Sequence, residues 1–141
     1  MAKITPKVYR KILDDVELRK LYLKTFQGKI DLDAITKVIT VHISSTADFT
    51  YKDENQVEIS QKWDIVAKDK KAHSDYLNIS VTYCLVLYSK QKFTKRFFEI
   101  YEKTSLPLNV WPFVREFVNS MTARMNIPPL TLPLFKIPKK K

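Results

Sequence analysis

Three observations in the sequence predict an α+β fold: a four-stranded antiparallel meander sheet packed by a long C-terminal helix. Three segments alternate apolar and polar residues with a period of two, the signature of half-buried antiparallel strands. A later segment repeats its apolar residues at helical spacing and ends in a run of prolines. Glycine occurs once, at Gly28, and six of the seven prolines lie at or after Pro107. So few glycines leave little room for tight primed turns and favour long strands joined by polar loops.

Residues 5–15 read as a short N-terminal helix with Val8, Ile12 and Leu13 facing inward. Glu17–Phe26 reads as a strand interrupted at Arg19-Lys20. From Ile39 to Tyr51 the odd positions are mostly apolar and the even ones polar. After the polar turn at residues 52–56, Val57, Ile59, Trp63 and Ile65 restart the alternation. Beyond a second polar stretch, residues 68–74, Leu77, Ile79, Val81, Tyr83, Leu85 and Leu87 repeat it. Phe97–Tyr101 reads as a fourth strong strand, less cleanly alternating, and Leu106–Leu108 as a connector.

The helix is predicted from Val110 to Asn126. Asn109 is its expected N-cap and Pro112 falls in its first turn, where a missing N–H costs nothing. Pro128-Pro129 forbid continuation. Val110, Val114, Phe117, Val118, Met121 and Met125 share one face, while Trp111 and Phe113 point to other sides. That is more apolar surface than one packing face needs. A single helix also cannot cover so wide a sheet, and oligomerisation is the simplest way to bury the remainder.

Composition bounds the function. Residues 1–135 make one domain with a modest core, and residues 136–141 form a basic tail expected to be disordered. Residues 1–15 are charged throughout and lack the core of a secretory signal, and no apolar run reaches the roughly 20 residues that span a bilayer. With one cysteine, Cys84, a disulfide framework is excluded and a reducing cytoplasm is the expected location. The net charge is +10, dominated by lysine. Lysine reads phosphate and base edges less well than arginine, so a solubilising surface is the plainer reading.

Catalysis is not expected. His42 lies on a polar strand face, His73 in a loop, and Cys84 has no neighbouring thiol, so no metal site of ordinary spacing can be assembled. Asp14-Asp15, Asp31 with Asp33, and Asp53-Glu54 sit in turns or at a helix end, as solvated carboxylates do. One glycine builds no phosphate cradle, and no cofactor is predicted. Arg115, mid-helix among apolar groups, is expected to pair with Glu99 or Glu102 of the preceding strand and fix the helix on the sheet.

The order Trp111-Pro112-Phe113-x-Arg115-Glu116, then Met121, Arg124 and Pro129-Leu130-x-Leu132, resembles the C-terminal signature of the SecB export-chaperone family. The likeness runs from Glu17 to Leu134. It implies subunits paired through strands and helices, with dimers paired into a tetramer. It also implies an ATP-independent holdase that keeps secretory precursors unfolded and passes them to SecA; relatives of the family instead chaperone antitoxins of toxin–antitoxin systems. A holdase needs exposed apolar grooves with adaptable side chains. Phe49, Tyr51, Trp63 and Tyr83 from the sheet, with Trp111, Phe113, Phe117, Met121 and Met125 from the helix, are the residues expected to line them. Export chaperones of this type are acidic and dock the SecA tail through acidic groups, whereas this chain is basic and its tail is rich in lysine. A basic holdase is expected to prefer acidic clients.

Two other classes fit part of the sequence. A β-domain for single-stranded nucleic acid would use the aromatics beside lysines, as at Tyr51-Lys52 and Lys62-Trp63. Yet Tyr51, Trp63 and Tyr83 alternate in phase with Val and Ile, which is a core pattern, so nucleic acid is not the expected partner. An adaptor that keeps the fold without holding clients would bury the same residues.

Overall fold

The computed structural model describes residues 5–32, 39–69, 75–128, 130 and 132. The expected basic tail at 136–141 and His73 lie outside them. The elements follow the order α1 (Pro6–Asp15), β1 (Glu17–Ile30), β2 (Ile39–Tyr51), β3 (Gln56–Asp69), β4 (Asp75–Tyr88), α2 (Lys95–Lys103) and α3 (Ser105–Arg124). The four strands form one antiparallel sheet in the order β1-β4-β3-β2. The meander therefore holds for β2–β3–β4, and β1 adds on the far side of β4.

Alternation places the core. Val57, Ile59, Trp63, Ile65 and Ala67 of β3 and Leu77, Ile79, Val81, Tyr83, Leu85 and Leu87 of β4 point to one face and are buried there. The other face is more polar, with Lys62, Asp64, Asn78 and Thr82 exposed or half-buried around buried Tyr76 and Cys84. Strand β1 changes phase twice, at register shifts between Leu18 and Lys20 and between Leu23 and Thr25. Each bulge moves the next side chains to the opposite face, so Leu18, Leu21, Leu23, Phe26 and Ile30 all lie on the helix side although their numbering breaks parity. The interruption read at Arg19-Lys20 is the first of these bulges. The strand also runs past Phe26 to Ile30.

Phe97–Tyr101 is not a strand but the centre of helix α2. The Thr94 hydroxyl accepts the Phe97 N–H at 3.1 Å and caps the helix. Phe93, Phe97, Ile100 and Tyr101 follow helical spacing with charged residues between them, and Phe93, Phe97, Phe98 and Tyr101 form one aromatic cluster at centroid separations of 5.0–6.1 Å.

Helix α3 likewise starts earlier than expected, at Ser105, so Leu106–Leu108 is its first turn rather than a connector. Asn109 does not cap it; its side-chain amide donates to the Tyr101 hydroxyl at 3.0 Å. Pro112 sits inside the helix, where it cannot donate to the Leu108 carbonyl. Both residues are exposed, so water can satisfy that carbonyl. The helix ends as Asn126 turns left-handed at φ 62°, a conformation that asparagine tolerates.

Helix α1 is capped by the Thr5 hydroxyl, which accepts the Val8 N–H at 3.2 Å. Its inward stripe is Tyr9, Ile12, Leu13 and Val16. Val8, expected inside, points outward. Tyr9 takes the place by stacking on Phe97 at 5.1 Å and bonding the Ser105 hydroxyl at 3.1 Å.

Candidate polypeptide-binding surface

Helix α3 crosses the apolar sheet face and divides it into two flanks. On the β4/β1 flank, Phe113 lies against Tyr83 at 6.0 Å, and the Tyr83 hydroxyl donates to the Phe113 carbonyl at 3.3 Å. One turn on, Phe117 packs on Phe26 of β1 at 5.6 Å. Gly28 completes this flank: a Cβ there would come within 3.2 Å of the Met125 methyl, so the bare backbone gives Met125 its seat. Phe26 keeps 62% of its surface exposed and Phe113 48%, whereas Tyr83 and Phe117 are buried and Met121 and Met125 half-buried. The flank is thus an aromatic and methionine strip whose outer members are open to solvent. Glu116 sits beside it, and burial first, then that carboxylate, pushes the Tyr83 phenol up.

On the β3/β2 flank, Trp111 packs on Trp63 at 4.9 Å, and both are buried. The chain that leaves α3 turns back along this flank. The Leu130 N–H donates to the Thr122 hydroxyl at 2.8 Å, and Arg115 Nε donates to the Leu132 carbonyl at 2.9 Å. Leu132 is buried at this point, beside Pro112 and Asn119. Arg115 therefore does not pair with Glu99 or Glu102 as the sequence suggested. Glu99 instead meets Arg96 of its own helix at 3.6 Å, and Glu102 lies with it on the far side of α2. Arg115 still fixes α3, but by holding the returning chain.

Farther along β2, that strand and α2 enclose an open groove of about 580 Å³. Phe49 and Tyr51 form one wall, Phe93 and Phe98 the other, with Phe98 5.1 Å from Phe49 and 5.6 Å from Tyr51. Asp48, Glu99 and Glu102 stand on its rim with a single lysine, Lys95. Burial in this groove pushes the Tyr51 phenol up.

The nine expected binding residues thus fall in three places. Phe113, Phe117, Met121, Met125 and Tyr83 share the β4/β1 flank, Phe49 and Tyr51 line the groove, and Trp63 and Trp111 belong to the core. Sequence reading missed Phe26, Phe93 and Phe98. The bulges of β1 hid the first; Phe98 fell within the strand expected at Phe97–Tyr101, although Thr94 signals a helix cap, and Phe93 lay outside every expected element. The Cys84 thiol, buried toward the polar face, sits 3.1 Å from the Ser60 hydroxyl. No group of three metal-ligating side chains occurs among the described residues, and no described helix is long and apolar enough to cross a membrane.

A β1-β4-β3-β2 antiparallel sheet carrying its C-terminal helices on one face is the SecB-like fold. Among solved structures, the chain is similar to the Mycobacterium tuberculosis Rv1957 SecB-like chaperone in complex with a ChAD peptide from the Rv1956 HigA1 antitoxin. The TM-score is 0.76 and the identity 16%, over 92% of this chain and 97% of that one. A Streptococcus agalactiae protein of unknown function aligns with a TM-score of 0.49 and 13% identity, over 84% of this chain and 97% of that one. No family model and no curated protein sequence matches the chain.

Proposed function

We propose that this protein is an ATP-independent chaperone that holds unfolded polypeptides on the apolar strip beside α3. The observation that carries the reading is the exposure of Phe26 and Phe113 in line with Phe117 and Met125 on a SecB-like fold. Contiguous apolar surface of this kind is costly to leave in water unless something covers it. Aromatic and thioether side chains adapt to many sequences, and binding the unfolded state preferentially is what keeps a client from folding or aggregating. No catalytic step and no cofactor enter this account.

The client is read as an antitoxin or another aggregation-prone polypeptide rather than a precursor on its way to SecA. The antitoxin peptide bound by the Mycobacterium tuberculosis protein favours the first. The net charge of +10 and the lysines of residues 136–141 disfavour docking that relies on acidic groups. A dimer of dimers in the cytoplasm fits the apolar side chains that a single copy leaves exposed, Leu18, Ile43 and Leu108 among them. The test is dilution of a chemically unfolded client without ATP, followed by light scattering. Suppression at near-stoichiometric chaperone supports the proposal, and aggregation at the client's own rate removes it.

A further inference from the structure

We propose that the outer edge of β2 takes an extended segment of a client polypeptide as an added antiparallel strand, whose alternate apolar side chains enter the groove between β2 and α2. The inference rests on the chaperone reading above and adds a place of contact away from the Phe113 flank.

The two edges of the sheet differ. β1 is broken at two register shifts and carries Arg19, Lys20, Lys24 and Lys29, devices that keep an edge from pairing. β2 has none of them. Its 13 residues run in unbroken register against β3, without proline, lysine or arginine. Among the described residues, β3 is its only neighbour in the sheet. An edge so long and regular is a template for another strand.

The ladder shows which backbone groups are on offer. The Lys52 N–H donates to the Gln56 carbonyl at 3.0 Å, so the even residues of β2 exchange hydrogen bonds with β3. The Ser89 N–H donates to the Asn55 carbonyl at 2.9 Å, which turns the odd residues of β3 to β4 and leaves its even ones for β2, in agreement. The odd residues of β2 therefore point their N–H and C=O outward. These same residues carry the helix-facing side chains, Phe49 and Tyr51 of the groove among them. In an antiparallel pair, residues that exchange bonds stand opposite each other with side chains on one face. A strand bonded to Ala47, Phe49 and Tyr51 would thus set its own alternate side chains beside theirs, on the side where α2 lies.

Burial leaves room for that strand. The helix-facing apolar side chains of β3 and β4 are buried, whereas Ile43 keeps 37% of its surface exposed and Tyr51 49%. Cross-strand neighbours would cover both.

Charge selects the occupant. Asp48, Glu99 and Glu102 stand around the groove against Lys95, with Glu99 shared by Arg96. Asp48, opposite Ser60 in the register, belongs by parity to the more polar face. A client segment that alternates apolar residues with lysine or arginine matches both faces of this edge. The β2 of a second copy does not, since it brings no lysine or arginine.

A short synthetic peptide alternating leucine with lysine, titrated against the full chain by fluorescence anisotropy, is the probe. Methylating the backbone nitrogens of its leucines should weaken binding about a hundredfold, because the bonds to the edge are lost. Methylating those of its lysines, which point away from the edge, should leave binding unchanged. Bound peptide should slow amide exchange at Ala47, Phe49 and Tyr51 by about tenfold. Ala47→Pro loses no bond to β3, because that N–H points outward, yet should abolish binding. Failure of the unmethylated peptide to bind overturns the proposal, as do equal effects of the two methylations or unchanged exchange at the three amides. Protection of those amides without peptide that disappears on dilution also overturns it, because a second copy would then hold the edge. Light scattering with an unfolded client is a separate readout: suppressed aggregation by a chain whose edge ignores the peptide refutes this inference and leaves the function proposed above.

Discussion

Two aromatic residues two positions apart on α3, Trp111 and Phe113, should respond in opposite ways to truncation. Trp111 is 4% exposed and packed 4.9 Å from Trp63, so Trp111→Ala opens a cavity beside Trp63. Large aromatic truncations of this kind cost about 3–5 kcal/mol. Phe113 keeps 48% of its surface in water. Full burial of such a side chain is worth about 2–3 kcal/mol, so Phe113→Ala removes about half of that, roughly 1 kcal/mol. Urea unfolding reads these losses as shifts in midpoint at constant slope. The client assay should rank the two residues the other way once both variants are held well below their unfolding midpoints. Phe113→Ala should weaken client binding by about tenfold, as loss of a central aromatic anchor does, and folded Trp111→Ala should bind nearly normally. Equal destabilisation by the two changes would refute the division into core and binding flank, and so would normal client binding by Phe113→Ala.

Three further outcomes follow from the geometry. Thr94→Ala removes the hydroxyl that caps α2 and should lower stability by about 1 kcal/mol, read by thermal unfolding, while Thr94→Ser should retain it. Gln61→Met should raise stability by about 1 kcal/mol in urea unfolding, since it replaces a buried amide oxygen that has no hydrogen-bond partner among the described residues with an apolar chain of similar length. Tyr101 is pushed up to about 12 by burial, against the Asn109 hydrogen bond that lowers it. The folded state thus favours the neutral phenol; its contribution is complete below about pH 10 and is lost as pH rises toward 12. Unfolding free energy should fall by about 2–3 kcal/mol across that window, and Tyr101→Phe should flatten much of the fall.

What the sequence made legible was periodic structure in unbroken stretches. Strands β2, β3 and β4 keep one phase along their helix-facing residues, and their ends were readable to within a few residues. β1 was harder, because a bulge flips the phase and mimics a break at Arg19-Lys20. The region 93–108 failed for a different reason. Phe97-Phe98 and Ile100-Tyr101 are apolar pairs that suit a strand locally, and only the Thr94 cap and the spacing back to Phe93 mark a helix. Placing Pro112 in the first turn then moved the expected start of α3 downstream, although an exposed proline can be borne within a helix.

The binding surface was less legible than the fold. A tryptophan such as Trp63 and a phenylalanine such as Phe113 carry the same apolar signal in sequence. Which one stays in water depends on what returns over it. Here Leu130 and Leu132, held by Thr122 and Arg115, return along the tryptophan side of α3, and the other flank stays open. The Arg115 partner was misjudged for the same reason: a backbone carbonyl has no signature in sequence.

The central claim, that this protein recognises the unfolded state of other polypeptides, is tested most directly by fluorescence anisotropy with one client in two forms. The client is a disulfide-containing protein, used either native or reduced and alkylated so that it stays unfolded. The account predicts saturable binding of the unfolded form that persists at high salt, and no binding of the native form. Equal binding of both forms, or binding of the unfolded form that salt abolishes, would contradict it.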